Sequence, residues 1–358
     1  MTAPEELSEL AKSCTRFVHS HGRRSAAELL SEIPAETEVD RYGDGGAVSA
    51  LEERVAGLLG TEAACFLPSG TMAQQIVLRV HADRRGRRTV AFHPLCHLDW
   101  REGRGYERLH NLTGVQVGEP ARPISLADLE AIAEPPAALL LELPQRDLGG
   151  SLPSFEELEA MVAWARSKGA AAHMDGARLW EAQPFYGRSL AEIAGLFDSV
   201  YVSFYKGLGA LAGCCVGSDV ETVAEVREWR RRHGGTLYSL WPNAASALAA
   251  LDKRLGRMPA YYERAVELAA RLSAVPGLEV LPDPPVSPMM HLVFDATATQ
   301  WEERFRALAA EGICTWPTPW PGEVLPGKQR VELAVGDATM AFQIDELVSV
   351  LARMAGNS

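Results

Sequence analysis

Between about residue 36 and residue 250 short apolar runs alternate with amphipathic segments, and this alternation constrains the fold more than any other feature. The apolar runs fall at 64–67, 89–92, 115–117, 137–143, 170–174, 199–204 and 213–217. The intervening stretches 48–59, 71–81, 126–133, 155–167 and 221–232 repeat apolar residues at helical spacing. Strands that alternate with helices predict a mostly parallel sheet covered on both faces. After a helix at 243–255 the pattern changes. Helices are predicted at 261–274, 301–311 and 339–354, and strands at 278–281, 291–294 and 330–335. Residues 1–35 read as a helical arm, with Leu7, Leu10, Cys14 and Phe17 at helical spacing. The chain therefore reads as α/β in three parts: the arm at 1–35, a large parallel-sheet domain at 36–250 and a smaller α+β domain at 251–358. The proline-rich stretches 282–288 and 317–326 read as loops.

Composition narrows the class. The formal net charge of −12 argues against a sequence-independent grip on nucleic acid. No apolar run approaches the roughly 18 residues a membrane helix needs, so no membrane contact is expected. The N-terminus is acidic and lacks the apolar core of a signal peptide. The six cysteines show no CxxC pair and no zinc spacing, which predicts buried thiols, no metal site and a reducing cytoplasm. Of only five lysines, Lys206 alone lies between an apolar strand and a glycine-rich turn.

Four segments share one chemical logic. Pro68-Ser69-Gly70-Thr71 follows a strand and opens a helix, where free N–H groups and the helix dipole favour an anion. Asp175, in His173-Met174-Asp175-Gly176-Ala177-Arg178, ends a buried strand, at the edge where open α/β sheets bind ligands. A carboxylate there can tie a loop through Arg178, or hold a ring nitrogen protonated. At an effective dielectric near 20, opposite charges about 4 Å apart attract by ~4 kcal/mol, worth more than two pKa units. Lys206, in Ser203-Phe204-Tyr205-Lys206-Gly207-Leu208-Gly209-Ala210, can be desolvated, which leaves a nucleophilic amine able to form a Schiff base. His97 follows the strand at 89–92 and could stack on an aromatic ring or move a proton. An anion cradle, a pyridinium partner, a Schiff-base lysine and a stacking ring together describe a site for pyridoxal 5′-phosphate.

At these residues the sequence resembles the threonine aldolase and β-eliminating lyase family, pyridoxal-phosphate enzymes of the aspartate-aminotransferase-like fold. The matching segments are Arg41-Tyr42-Gly43-Asp44, Leu51-Glu52, Pro68 to Gln74, His97 with Glu102, His173 to Trp180 and Lys206-Gly-Leu-Gly-Ala210. The resemblance implies that Ser69, Gly70 and Thr71, with Ser203, bind the phosphate. It implies that His97 stacks on the ring and is a candidate for proton transfer. Asp175 would bond the pyridine nitrogen, Lys206 would carry the Schiff base, and Arg178 would approach the ring hydroxyl or the substrate carboxylate. Arg330 is the candidate clamp for that carboxylate. The Arg41–Gly46 loop, with Tyr42, would complete the site of a neighbouring subunit in a homodimer or homotetramer. The implied reaction is retro-aldol cleavage of a β-hydroxy-α-amino acid to glycine and an aldehyde. β-Elimination on another amino acid is the alternative, and a non-catalytic cofactor-binding regulatory module is a third reading.

The chain also departs from the family. The usual Asp-Leu-Arg-Ser-Asp-Thr strand is absent. A second active-site histidine is replaced within Leu143-Pro144-Gln145-Arg146, and the Gly-Gly-Gly-Met-Arg segment reads Gly234-Gly235-Thr236-Leu237-Tyr238. Gln145 and Arg146 are the candidates to replace the missing substrate contacts.

Overall fold

The computed structural model describes residues 3–357. They form two compact units. The larger comprises Ala26–Asp147 and Leu152–Gly256; the smaller takes the chain up to Ser25, the short stretch Leu148–Ser151 and the chain from Arg257 onward.

The larger unit is built on seven strands: β1 Ala63–Leu67, β2 Thr89–Phe92, β3 Thr113–Gln116, β4 Ala138–Glu142, β5 Ala171–Gly176, β6 Ser199–Ser203 and β7 Cys214–Ser218. Their order in the sheet is β1-β7-β6-β5-β4-β2-β3. Only β7 runs against the rest, pairing antiparallel with both β1 and β6. Its direction follows from chain length: β6 ends at Ser203 and β7 begins at Cys214, and a parallel crossover needs a dozen or more residues. The short return connection carries Lys206.

The helix α1, Gly46–Leu59, buries Val48, Leu51, Val55 and Leu59. Helix α2, Gly70–Arg85, packs Ala73, Ile76, Val77 and Val80 on Cys65, Leu67, Tyr201, Cys214 and Val216 of the sheet. Its Leu78 and Ala82 join a second cluster with Val90, Phe92, Ala138 and Leu140. The stretch between β2 and β3 holds two short helices that the apolar pattern does not reveal, α3 His97–Trp100 and α4 Gly105–His110. Between β5 and β6 lie two more, α5 Leu179–Tyr186 and α6 Leu190–Ala194. Pro184 interrupts the periodicity of α5, which hides it in the sequence.

The smaller unit is a four-stranded antiparallel sheet in the order β10-β11-β9-β8, from β8 Leu278–Leu281, β9 Met289–Asp295, β10 Pro321–Leu325 and β11 Lys328–Ala334. The stretch 317–326, expected as loop, thus contains a strand; it lies at the sheet edge, where proline is tolerated. The N-terminal helix Ala3–Ser13 packs through Leu7, with Cys14 beside it, on Phe305, Ala309 and Cys314. Among the described residues no helix is long and apolar enough to cross a membrane.

Candidate active site

Five segments of the larger unit converge where the parallel strands end. A cavity of about 270 Å³ is lined by Pro68, Ser69, Gly70, Thr71 and Gln74 from the start of α2, by His97 and Glu102, by Asp175 and Tyr201, and by Tyr205, Lys206 and Leu211–Gly213 from the β6–β7 connection. The segments expected to supply an anion cradle, a ring partner, an amine and an imidazole are therefore brought together.

The cradle is the amino end of a 16-residue helix. Ser69 is its N-cap, and the serine side chain makes no capping hydrogen bond, so it leaves the first-turn N–H groups to the cavity. Glycine is required at position 70, because a Cβ there would overlap the hydroxyl of Tyr201. The backbone can thus approach a ligand closely. Tyr201 is buried in β6, and its hydroxyl is hydrogen-bonded to Tyr205; burial raises the pKa of both phenols, so both are neutral donors.

Asp175 sits near the end of β5, paired in register with Glu142 of β4 and Tyr201 of β6. It is 3% exposed, and one of its oxygens accepts the Ala177 N–H at 3.1 Å. Lys206 is half-buried. Desolvation lowers its amine pKa first, and the Arg178 charge lowers it further; Asp175 and Glu142 pull the other way. A lysine with its pKa moved downward supplies more free amine for attack on an aldehyde.

The His97 ring is held through Nδ1 by Glu102 Oε1 at 3.0 Å. Glu102 is buried, and its other oxygen, Oε2, makes no hydrogen bond. Gln74 also lines the cavity. Its Oε1 meets His173 Nε2 at 2.7 Å, His173 Nδ1 meets Ser199 Oγ at 2.8 Å, and Ser199 Oγ meets His81 Nε2 at 2.7 Å. Burial lowers the His173 pKa to about 4, so this chain is neutral near pH 7.

Other expected residues lie elsewhere. The Ser203 hydroxyl donates to the Ala177 carbonyl at 2.7 Å, and Ser203 does not line the cavity. Arg178 caps α5 and pairs with Glu181 at 3.7 Å. Gln145 is buried and directs its amide to the Leu95 carbonyl and Glu142, at 3.5 and 3.4 Å, and neither it nor Arg146 is among the lining residues. Tyr42 is exposed, with positive φ, in a turn closed by the Arg41–Asp44 bridge, and its ring meets Tyr238 edge-on. Arg330 lies on β11 of the smaller unit, opposite Val293 of β9. The cavity-lining residues given no role from the sequence are Gln74, Tyr201 and Tyr205, and Glu142, paired with Asp175 at the strand end, was missed beside them. Glu142 carried a usable signal, since it closes an apolar strand just as Asp175 does.

The residues present fit pyridoxal phosphate: uncapped N–H groups beside an obligatory glycine, a buried carboxylate, a desolvated amine and an imidazole face one cavity. Comparison with known proteins agrees. The chain is 30% identical to low-specificity L-threonine aldolase 1 of Arabidopsis thaliana over 256 residues, covering 69% of this chain and 71% of the relative. It is 30% identical to the low specificity L-threonine aldolase of Escherichia coli K12, with 70% and 76% covered. The crystal structure of a candidate L-allo-threonine aldolase from Listeria monocytogenes superposes with a TM-score of 0.93 at 37% identity over 99% of both chains. The fold is that of the fold-type I pyridoxal-phosphate enzymes. The beta-eliminating lyase model matches residues 21–295, and the chain belongs to that family of pyridoxal-phosphate-dependent lyases.

Proposed function

We propose that the protein binds pyridoxal 5′-phosphate and cleaves β-hydroxy-α-amino acids of the threonine, allo-threonine or phenylserine type to glycine and an aldehyde. The observation that carries this reading is the meeting of Lys206, Asp175 and His97 around one cavity at the amino end of α2. Ser69, Gly70 and Thr71 hold the phosphate. Lys206 supplies the amine for covalent attachment, and Asp175 keeps the ring nitrogen protonated. When bound, the cofactor supplies an electron sink for a bond broken at the substrate Cα. His97, oriented by Glu102, stacks on the ring and takes the proton of the substrate β-hydroxyl. Arg178 lies outside the cavity lining but near enough for its charge to act on Lys206, and it is assigned to approach the ring hydroxyl or the substrate carboxylate. Ser203 keeps a supporting part, tying the Ala177 turn to the end of β6.

We assign the working form to a homodimer or homotetramer. Exposed Val39, Tyr42, Leu237 and Tyr238 support this, because the 38–46 turn and the 236–238 segment present an apolar surface suited to a second copy. The six thiols are all free and buried, which suits a reducing cytoplasm.

The test is an absorbance scan of the protein supplied with the cofactor, followed by assay of aldehyde and glycine from L-threonine, L-allo-threonine and phenylserine. A Schiff-base band at about 410–430 nm that disappears in Lys206→Ala is expected. Ammonia and a keto acid in place of glycine and aldehyde would favour β-elimination. No Lys206-dependent band would reject the cofactor assignment.

A further inference from the structure

Glu142 ends β4 beside Asp175, yet nothing in the proposed chemistry uses it. Its carboxylate gathers three donors. Oε2 accepts the backbone N–H of His97 at 3.3 Å and the Gln145 amide at 3.4 Å; Oε1 accepts the backbone N–H of Arg146 at 3.1 Å. The helix that begins at His97 is only four residues long, and its N-cap Cys96 provides no side-chain bond. Its first N–H is therefore satisfied from another element, by a carboxylate of the sign the helix start favours.

Two further ties join the same pieces of chain. The Gln145 amide donates to the Leu95 carbonyl at 3.5 Å, and Arg101 meets Asp147 at 3.1 Å. Glu142 thus lies at the centre of a clasp between residues 95–102 and 142–147. Gln145 is a strut of that clasp. His97 is the one imidazole among the described residues that line the cavity. Its ring is oriented by Glu102, and its backbone by Glu142.

We propose that Glu142 is a positioning residue for His97, fastening the start of the His97 helix and the 143–147 turn to the sheet edge beside Asp175. The inference rests on the aldolase reading for its kinetic consequence, but not for its structural one. Burial first and the neighbouring Asp175 second push the Glu142 carboxyl upward, and the Arg146 N–H that it accepts pulls the other way, toward the ionised form in which both oxygens accept.

Glu142→Gln and Glu142→Ala separate the cases. In Glu142 both oxygens accept. A glutamine keeps the volume but replaces one acceptor by a donor, so one side of the clasp is lost whichever way the amide turns; alanine loses all three bonds. The readout that needs no cofactor is NMR of histidine-labelled protein. The His97 ring signal is assigned by its absence in His97→Asn. It is expected to shift or broaden in Glu142→Gln and more so in Glu142→Ala. In the cofactor-loaded enzyme, the Lys206-dependent band is expected to remain. kcat is expected to fall by about 10-fold in Glu142→Gln and about 100-fold in Glu142→Ala, with KM within about threefold, as displacement of a catalytic group by an ångström would give. An unchanged His97 signal together with kcat within about twofold of the parent overturns the proposal. If Glu142→Ala does not fold, Glu142→Gln decides by the same two readouts. If the parent forms no Lys206-dependent band, the cofactor reading fails, and the His97 signal still decides on Glu142.

Discussion

At the scale of single residues, the site depends on groups kept small or kept dry. Gly70 is the clearest case. A methyl group there would meet the Tyr201 hydroxyl, and the ring carbon that bears it would lie 2.9 Å away. Tyr201 is locked in the sheet between β5 and β7, so it has nowhere to retreat. Gly70→Ala is therefore expected to destabilise the protein by about 1–3 kcal/mol, the usual range for overpacking. It is also expected to weaken cofactor binding by about tenfold or more, because the displaced backbone carries the N–H groups proposed to hold the phosphate. Titration of the apoprotein with pyridoxal phosphate, followed by absorbance, measures the second effect. Adding Tyr201→Phe should recover part of the loss, since it removes the overlapping oxygen but leaves the ring carbon. Equal affinities for the parent and Gly70→Ala would show that this close approach is not needed.

At the scale of elements, the strand ends were readable and the returns between them were not. Asp175, His97 and the Ser69–Thr71 turn could be placed at one edge, because buried apolar runs fix where strands stop and parallel strands share a C-terminal edge. The reversed direction of β7 required counting the residues between Ser203 and Cys214, not reading their polarity. Helices α3, α4, α5 and α6 escaped because each spans eight residues or fewer, too short for a periodic pattern to stand out. Ser203 beside Lys206 resembled a phosphate ligand, but a turn formed by β5 claims its hydroxyl, and no local pattern reports such a contact. Asp40 shows the same long-range logic. It is buried, and its Oδ1 accepts the N–H groups of Leu240 and Trp241 at 2.7 Å each, capping the helix Trp241–Arg254 from 200 positions away. Its Oδ2 accepts Gly43 N–H at 2.8 Å and holds the Tyr42 turn. Asp40→Ala leaves three N–H groups without their charged acceptor, an expected loss of about 2–4 kcal/mol. A fall in Tm of roughly 3–5 °C is expected for a chain of this length. If the homo-oligomer is built on the Tyr42 turn, light scattering should also show a smaller species. A Tm within about 1 °C of the parent would remove Asp40 from this role.

At the scale of the whole molecule, burial of imidazoles sets how the fold meets acid. Six of the nine histidines, His19, His81, His93, His110, His173 and His233, have their pKa lowered, in each case chiefly by desolvation. His173 and His110 are both lowered to about 4. Above pH ~6.5 an imidazole is neutral in the folded and the unfolded chain and adds no pH dependence. Below that pH the unfolded chain takes up a proton that the folded chain refuses, so stability falls as pH falls. The loss continues to the folded pKa near 4 and is constant below it. For His173 alone the span from ~6.5 to about 4 amounts to about 3 kcal/mol, a large share of the ~5–15 kcal/mol that ordinarily holds a protein folded. Carboxylates stabilised in the fold act lower. Asp128, held well below the usual carboxylate range by Arg122, loses its contribution only as pH drops below ~4. Denaturant unfolding between pH 6.5 and 4.5 should therefore show a steep decline that precedes carboxylate protonation. His173→Gln, which can still bond Gln74 and Ser199 but cannot titrate, should be less stable near pH 7 through imperfect packing. Its slope should be shallower by up to ~1.4 kcal/mol per pH unit, one proton fewer taken up on unfolding. A slope equal to that of the parent would mean that His173 is protonated in the folded state. In that case the chain Gln74–His173–Ser199–His81 would carry a positive charge beside the cavity, and its neutral ordering would be wrong.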